Sequence, residues 1–189
     1  MALLRGNLHA HTTFSDGVRS PSALLREYEV RGYDFLAITD HEDHENLSYP
    51  AYARAFDRLT SRLLVFRGLE LDFTPLSQHV GRIVGEREIL HVLNHPARYK
   101  LSVQETVERI RIITAAGLSL DAVEVTDTGF YRPLYDTDEI PLVKIATDDA
   151  HRPPHFGRAW IEVEARPDRD AILRAIRAGD FRKVIAASE

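Results

Sequence analysis

Nine histidines stand in a chain of 189 residues, and several share short stretches with carboxylates. His9-Ala10-His11 is the first such stretch. In an extended strand, positions two apart point to the same side, so both imidazoles can reach one ion. Ser15-Asp16-Gly17 follows, where Gly17 permits a tight turn and Asp16 could swing a carboxylate over the strand end. Ile38-Thr39-Asp40-His41 closes an apolar run on an imidazole, with a carboxylate beside it that could orient ligands. Glu70, after Leu63-Leu64-Val65-Phe66 and Gly68-Leu69, has two oxygens with which it could bridge two cations. Gln78-His79-Val80, Leu93-Asn94-His95-Pro96 and Thr147-Asp148-Asp149-Ala150-His151 complete the set.

Singly, each piece also has an ordinary structural reading: a packed histidine, a turn, a salt-bridged glutamate. Together they place nitrogen and oxygen donors at the ends of successive apolar runs. Cys is absent, so thiolate sites, disulfides and a Cys nucleophile are excluded. Imidazole plus carboxylate suits Zn, Mn, Fe or Co, and the sequence does not choose among them.

The elements that must position these residues follow from the pattern. Strands are expected at Leu3–His9, Asp34–Thr39, Leu63–Leu69, Glu88–Leu93, Ala122–Val125, Leu142–Ala146 and Ala159–Val163. Helices are expected at Ser20–Arg31, Tyr49–Thr60, Val103–Ala116 and Asp168–Ala178. The stretch Leu71–Gly85, broken by Pro75 and Ser77, reads as a turn plus a short strand. Strands alternating with helices imply parallel βαβ units and a barrel or barrel-like sheet. In such folds the site gathers at the C-terminal ends of the strands, where His9, His11, Asp40, His41, Glu70, His95, Asp149 and His151 fall.

Length and composition suit a single domain over residues 1–189 with a real core. The apolar N-terminal stretch is too short for a signal peptide, no segment is long enough to span a bilayer, and a cytoplasmic protein is expected. The formal charge is −5 and Arg is scattered, so extended nucleic acid is not an expected partner.

The string His9-Ala10-His11-Thr12-Thr13-Phe14-Ser15-Asp16-Gly17 resembles the opening motif of PHP (polymerase and histidinol phosphatase) domains. Ile38-Thr39-Asp40-His41 resembles their second motif. Gly68-Leu69-Glu70, His79, Asn94-His95-Pro96 and Asp149-Ala150-His151 resemble the remaining ones, in matching order over nearly the whole chain. The resemblance implies a distorted (β/α)7 barrel with a trinuclear site. Carried over, one ion takes His9, His11, Glu70 and Asp149. A second takes Asp16, His41 and His151, and a third takes Glu70, His79 and His95. About two to three divalent ions, Zn, Mn or Fe, are implied. The stretch between the second motif and the His-Pro motif is more compact here than in many relatives, so the pocket could be open or covered by a partner chain. Oligomeric state is not readable.

The implied activity is hydrolysis of a small phosphomonoester or diester by a metal-bridging hydroxide, with Asp149 or His151 relaying a proton to the leaving oxygen. Arg98 could grip phosphate bidentately or form a salt bridge. Arg152 and Arg158 are weaker candidates for the same role. Glu124 reads as a hydrogen-bonded structural residue that could orient a ligand. His44 reads as a solvated loop residue, His91 and His155 as structural, and Trp160 as packing. Competing readings are a nuclease or nucleotide phosphoesterase, a non-catalytic metal-binding module, and a C–N hydrolase.

Overall fold

The computed structural model describes residues 1–186. Eleven strands and four α-helices alternate in the order β1 (Ala2–Asn7), α1 (Pro21–Val30), β2 (Phe35–Ile38), α2 (Tyr49–Asp57), β3 (Leu64–Phe73), β4 (Gln78–Val84), β5 (Ile89–Leu93), α3 (Val103–Ala115), β6 (Ala122–Glu124), β7 (Thr126–Asp127), β8 (Phe130–Tyr131), β9 (Val143–Ile145), β10 (Ala159–Ala165), α4 (Arg169–Ala178) and β11 (Phe181–Ile185).

Helix starts follow side-chain chemistry that offsets the unpaired N–H groups of a first turn. Ser20 caps α1 ahead of Pro21, Ser102 and Glu105 form a reciprocal capping box on α3, and Asp168 caps α4. Gly179, at φ 81°, closes α4 in the left-handed region that glycine enters without a Cβ penalty.

One sheet runs in the order β11-β10-β1-β2-β3-β4-β5-β6-β9. The chain leaving its last strand, β9, curls back on the chain leaving β1: Ala10 and Ala150 form a parallel bridge, with His11 N–H donating to Ala150 O at 2.9 Å. Seven strands, β1 through β6 and β9, therefore make a nearly closed barrel. It departs from the sequence expectation in two ways. Leu71–Gly85 is not a turn with a short strand: β3 and β4 form a long antiparallel hairpin whose register runs from Arg67↔Val84 to Phe73↔Gln78. Ala159–Val163 is a strand, but β10 pairs antiparallel with β1 outside the ring and carries β11 on its far edge. Pro75 and Ser77 confine the break to the hairpin tip, leaving the rest of that stretch free to pair.

The barrel interior is one apolar cluster. Alternate residues from its strands, including Phe35, Phe66, Ile83, Leu90, Val92 and Ile145, meet Ile172, Leu173 and Ile176 of α4. Helix α4 plugs the end where the β4–β5 turn lies, and Asp170 Oδ1 accepts backbone N–H bonds from Glu86, Arg87 and Glu88. Helix α1 covers the wall at β2 and α3 covers that at β5 and β6. The opposite mouth is polar and holds His9, His11, His41, His79, His95 and His151.

Candidate metal centre

His9 and His11 leave β1 as it passes its parallel neighbours. Ala10 between them packs into the outer α1 layer, so the two imidazoles share the inner side. Their Nε2 atoms lie 3.0 Å apart. The chain then turns back at Ser15–Gly17. Gly17 is required by close approach: a Cβ there would sit 2.3 Å from the His11 carbonyl oxygen. Asp40, at the end of β2, pins this turn. Its carboxylate accepts from Thr12 N–H and Thr12 Oγ1 at 2.7 Å and from Ser15 Oγ at 2.6 Å.

Glu70 stands at the centre. Its oxygens lie 3.4 Å from the near ring nitrogens of His9 and His11, 3.2 Å from those of His41 and His79, and 3.0 Å from His95 Nε2. Asn94 donates to Glu70 Oε1 at 2.8 Å, reaching in where Gly81 leaves room. His79 arrives from the start of β4, not from a strand end. Because β4 runs antiparallel to β3 and β5, its first residues lie at the same mouth as their neighbours' last ones.

Asp149 Oδ1 is 3.4 Å from the Nε2 atoms of both His9 and His11. Asp16 is 3.2 Å from His151, 3.6 Å from His11 and 3.7 Å from His41. Among the described residues, four sets have donor atoms all within 4.8 Å of one another: His11, Asp16, His41 and His151; His9, His11 and Glu70; His41, Glu70 and His79; His9, His95 and Glu124. These sets hold eight of the nine residues singled out as metal donors, and Asp149 joins them through His9 and His11; His11 and His41 are shared more widely than expected, and His95 groups with His9 and Glu124 instead of with Glu70 and His79. Asp149 and His95 both take positive φ, 45° and 25°, where non-glycine residues are uncommon and the surroundings must hold them.

Exposure is graded. The inner five, His9, His11, Glu70, His95 and Asp149, are at most 2% exposed. The side chains of His41 and His151 are 16% exposed, that of His79 24% and that of Asp16 45%. Access is therefore from the rim carrying Asp16 and His79. Arg98, on a single 3-10 turn after His95, reaches over the same rim to pair with Asp149 and with Asp127 of β7.

The electrostatics favour positive charge in the cluster. Burial would raise the Glu70 and Asp149 carboxyls, but His9 and the other imidazoles outweigh it and hold both well below the usual carboxylate range. Burial likewise opposes ionisation of Asp16, and His151 foremost holds it low. On the imidazole side, burial opposes charging of His9, yet Glu124, Glu70 and Asp149 hold it well above its ordinary value. Glu70 raises His79 and Asp16 raises His151, again against burial. His41 is pushed down to about 4, chiefly by burial.

A field that draws protons onto buried imidazoles also suits a divalent cation, which would displace them. The hydrogen bonding points the same way. Glu70 Oε2, His79 Nδ1, His95 Nδ1 and Asp149 Oδ1 are buried without a hydrogen-bond partner, which buried polar atoms rarely are.

Several residues outside the nine shape the centre. Glu124 bonds His9, and Asn94, Ser15 and Thr147 complete the shell around the donors. Glu124 shared with the donors the one available signal, a carboxylate closing an apolar run. His155 is buried and bonded to Arg152, His44 lies on an exposed loop, and His91 sits outside the barrel beside Asp121. Trp160 packs under the Arg5 guanidinium, 3.7 Å from its ring centroid. Among the described residues no helix is long and apolar enough to cross a membrane.

Comparison with known proteins agrees with this architecture. Residues 138–181 match the model of the PHP-associated family. The chain is 33% identical over 104 residues to the 5'-3' exoribonuclease Rnm of Salmonella typhimurium, covering 54% of this chain and 33% of that protein. It is 30% identical over 82 residues to the DNA polymerase/3'-5' exonuclease PolX of Bacillus subtilis, covering 38% of this chain and 14% of that one. The matched segments are thus a third or less of each relative. In structure it superposes on a two-domain protein from Bacteroides vulgatus containing a predicted PHP-like metal-dependent phosphoesterase. The TM-score is 0.77 at 18% identity, over 97% of this chain and 65% of that one.

Proposed function

We propose that this chain, with its PHP-type barrel and PHP-associated segment, is a metal-dependent phosphoesterase acting on a small phosphomonoester or diester. The observation that carries the reading is the set of buried donor atoms without a hydrogen-bond partner on Glu70, His79, His95 and Asp149, with Glu70 Oε2 and Asp149 Oδ1 each 3.2–3.4 Å from two imidazoles. In this reading about two to three ions, Zn, Mn or Fe, are held at the three places that the resemblance implies. His9, His11, Glu70 and Asp149 hold one, Asp16, His41 and His151 the next, and Glu70, His79 and His95 the last. Bound ions would acidify a water and withdraw charge from phosphoryl oxygens.

The chain's own residues supply the rest. Glu70 spans the donor groups as a bridge. Arg98, placed on the access rim, offers guanidinium N–H groups to a phosphoryl oxygen while steadying Asp149. In this reading His151, partly exposed and 3.2 Å from Asp16, passes a proton to a leaving oxygen, with Asp149 the alternative. A small substrate suits the formal charge of −5 and the acidic loop Glu42-Asp43-His44-Glu45 next to His41. We take residues 1–189 as one catalytic unit working in the cytoplasm, where a chain without Cys has nothing to lose from reducing conditions.

A second reading, hydrolysis at a polynucleotide end, is favoured by the similarity to an exoribonuclease and to a polymerase with exonuclease activity. The deciding experiment is elemental analysis of purified protein with kcat/KM for small phosphoesters and for single-stranded oligonucleotides at low and moderate salt. Small esters should be preferred. Faster cleavage of oligonucleotides at both salt levels replaces the first reading with the second, and absence of metal after reconstitution overturns both.

A further inference from the structure

Glu124 ends β6 inside the barrel mouth and is 1% exposed. It lies within donor distance of His9 and His95. Its oxygens, however, are already engaged. Oε1 accepts from His9 Nδ1–H at 2.7 Å and from Thr147 Oγ1–H at 2.6 Å. Oε2 accepts the backbone N–H of His95 at 2.8 Å. Three of the roughly four acceptor sites of a carboxylate are thereby taken by protein donors, so Glu124 orients its neighbours and does not itself ligate.

The two bonds act on different donor groups. Accepting from His9 Nδ1 fixes that ring with its Nε2 lone pair turned inward, 3.0 Å from His11 Nε2 and 3.4 Å from Glu70 and Asp149. A carboxylate on the far nitrogen also makes the ligating nitrogen more basic. The bond to His95 works through the backbone. His95 sits at φ 25°, ψ 64°, and the N–H···Oε2 bond holds that left-handed turn. From it the ring reaches Glu70 Oε1 with Nε2 at 3.0 Å. Parallel pairing sets this up: Val123 lies opposite Leu93 and Glu124 opposite Ile145, so the carboxylate falls between the chain leaving β5 and the chain leaving β9.

We propose that Glu124 is a positioning residue that sets the geometry of two donor groups at once, His9 with His11 and Asp149, and His95 with Glu70 and His79. Loss of its charge weakens both groups together. The inference rests on the metal reading above.

The test uses the full chain and its Glu124→Gln, Glu124→Asp and Glu108→Gln variants. An amide nitrogen cannot accept and an amide oxygen carries no charge, so Glu124→Gln sets donor against donor at one orienting bond and weakens the other. Zn2+ affinity is read by competition with a chromophoric chelator, and the His9 Nδ1 proton by 1H–15N NMR. Glu124→Gln should weaken Zn2+ binding by about 10- to 100-fold at more than one position. Its His9 Nδ1 proton should move upfield and exchange faster. Glu108→Gln, a charge-to-amide change on the exposed face of α3 beside Arg111, should stay close to wild type.

Wild-type affinity in Glu124→Gln, or loss at one position only, overturns the proposal. If Glu124→Gln does not fold, Glu124→Asp decides: its shorter side chain cannot span both groups, so undiminished affinity overturns the proposal. Should the wild-type protein bind none of Zn2+, Mn2+ and Fe2+, the functional reading fails. The His9 proton still reports separately on Glu124, and an unchanged signal in Glu124→Gln sinks its orienting role.

Discussion

The Nε2 atoms of His9 and His11 face each other at 3.0 Å, and the Nδ1 of His9 is committed to Glu124. Two inward nitrogens so close are at rest with a shared proton or a shared cation. Linkage then makes metal a stabiliser: a ligand at 100 times its Kd adds about 2.7 kcal/mol. For a chain of this size that corresponds to a rise in Tm of roughly 5–10 °C. Calorimetry with Zn2+ or Mn2+, reversed by chelator, should show it. A Tm indifferent to every divalent ion would contradict the metal centre.

Glu70 touches five imidazoles, whereas His79 approaches Glu70 from one side. Glu70→Gln should therefore lose metal at more than one position and nearly all activity. His79→Ala should lose less metal and keep part of its turnover. Elemental analysis of both variants settles the order, and equal metal loss would count against Glu70 as the bridge.

Asp40 does its work on the turn, holding Thr12 twice and Ser15 once. Asp40→Ala strands three buried donors, at a cost of about 3 kcal/mol, near the upper end for hydrogen bonds to a charged group. Because the turn carries His11 and leads into Asp16, metal affinity should fall along with stability. Denaturant unfolding and metal titration of the variant check the two effects. Loss of stability with untouched affinity would confine Asp40 to the fold.

Arg98 pairs with Asp149 and Asp127 at the access rim. Burial opposes its charge, but Asp149, Asp127 and Glu70 hold its pKa above the ordinary value, so it is cationic at every working pH. Arg98→Gln should lower kcat/KM for a small phosphoester by roughly 10- to 100-fold, as expected for a charge-assisted hydrogen bond of about 1.5–3 kcal/mol. Steady-state kinetics on the metal-loaded variant would show a mainly KM effect if Arg98 grips ground-state phosphate. Unchanged kinetics would reduce it to a partner of Asp149.

Much of this protein is readable along the chain because its chemistry is local. Donor type, the two-residue spacing of His9 and His11, the caps at Ser20, Ser102 and Asp168, and apolar runs that stop at polar residues all depend on near neighbours. Those features placed most strands and all four α-helices to within a few residues. They also marked out clusters of candidate donors, which the resemblance to PHP domains gathers into nine.

What needed the tertiary structure was direction and closure. Hydropathy does not distinguish a strand running up from one running down, so β4 was underestimated and its antiparallel course, which carries His79 to the common mouth, went unseen. Nor does an apolar run reveal its partner: β10 was expected in the barrel, yet Ala150 meets Ala10 and completes the ring without it. Glu124 reaches His9 across 115 positions. Such pairings depend on how the sheet curls, because burial rewards any apolar strand face while only closure decides which polar ends meet.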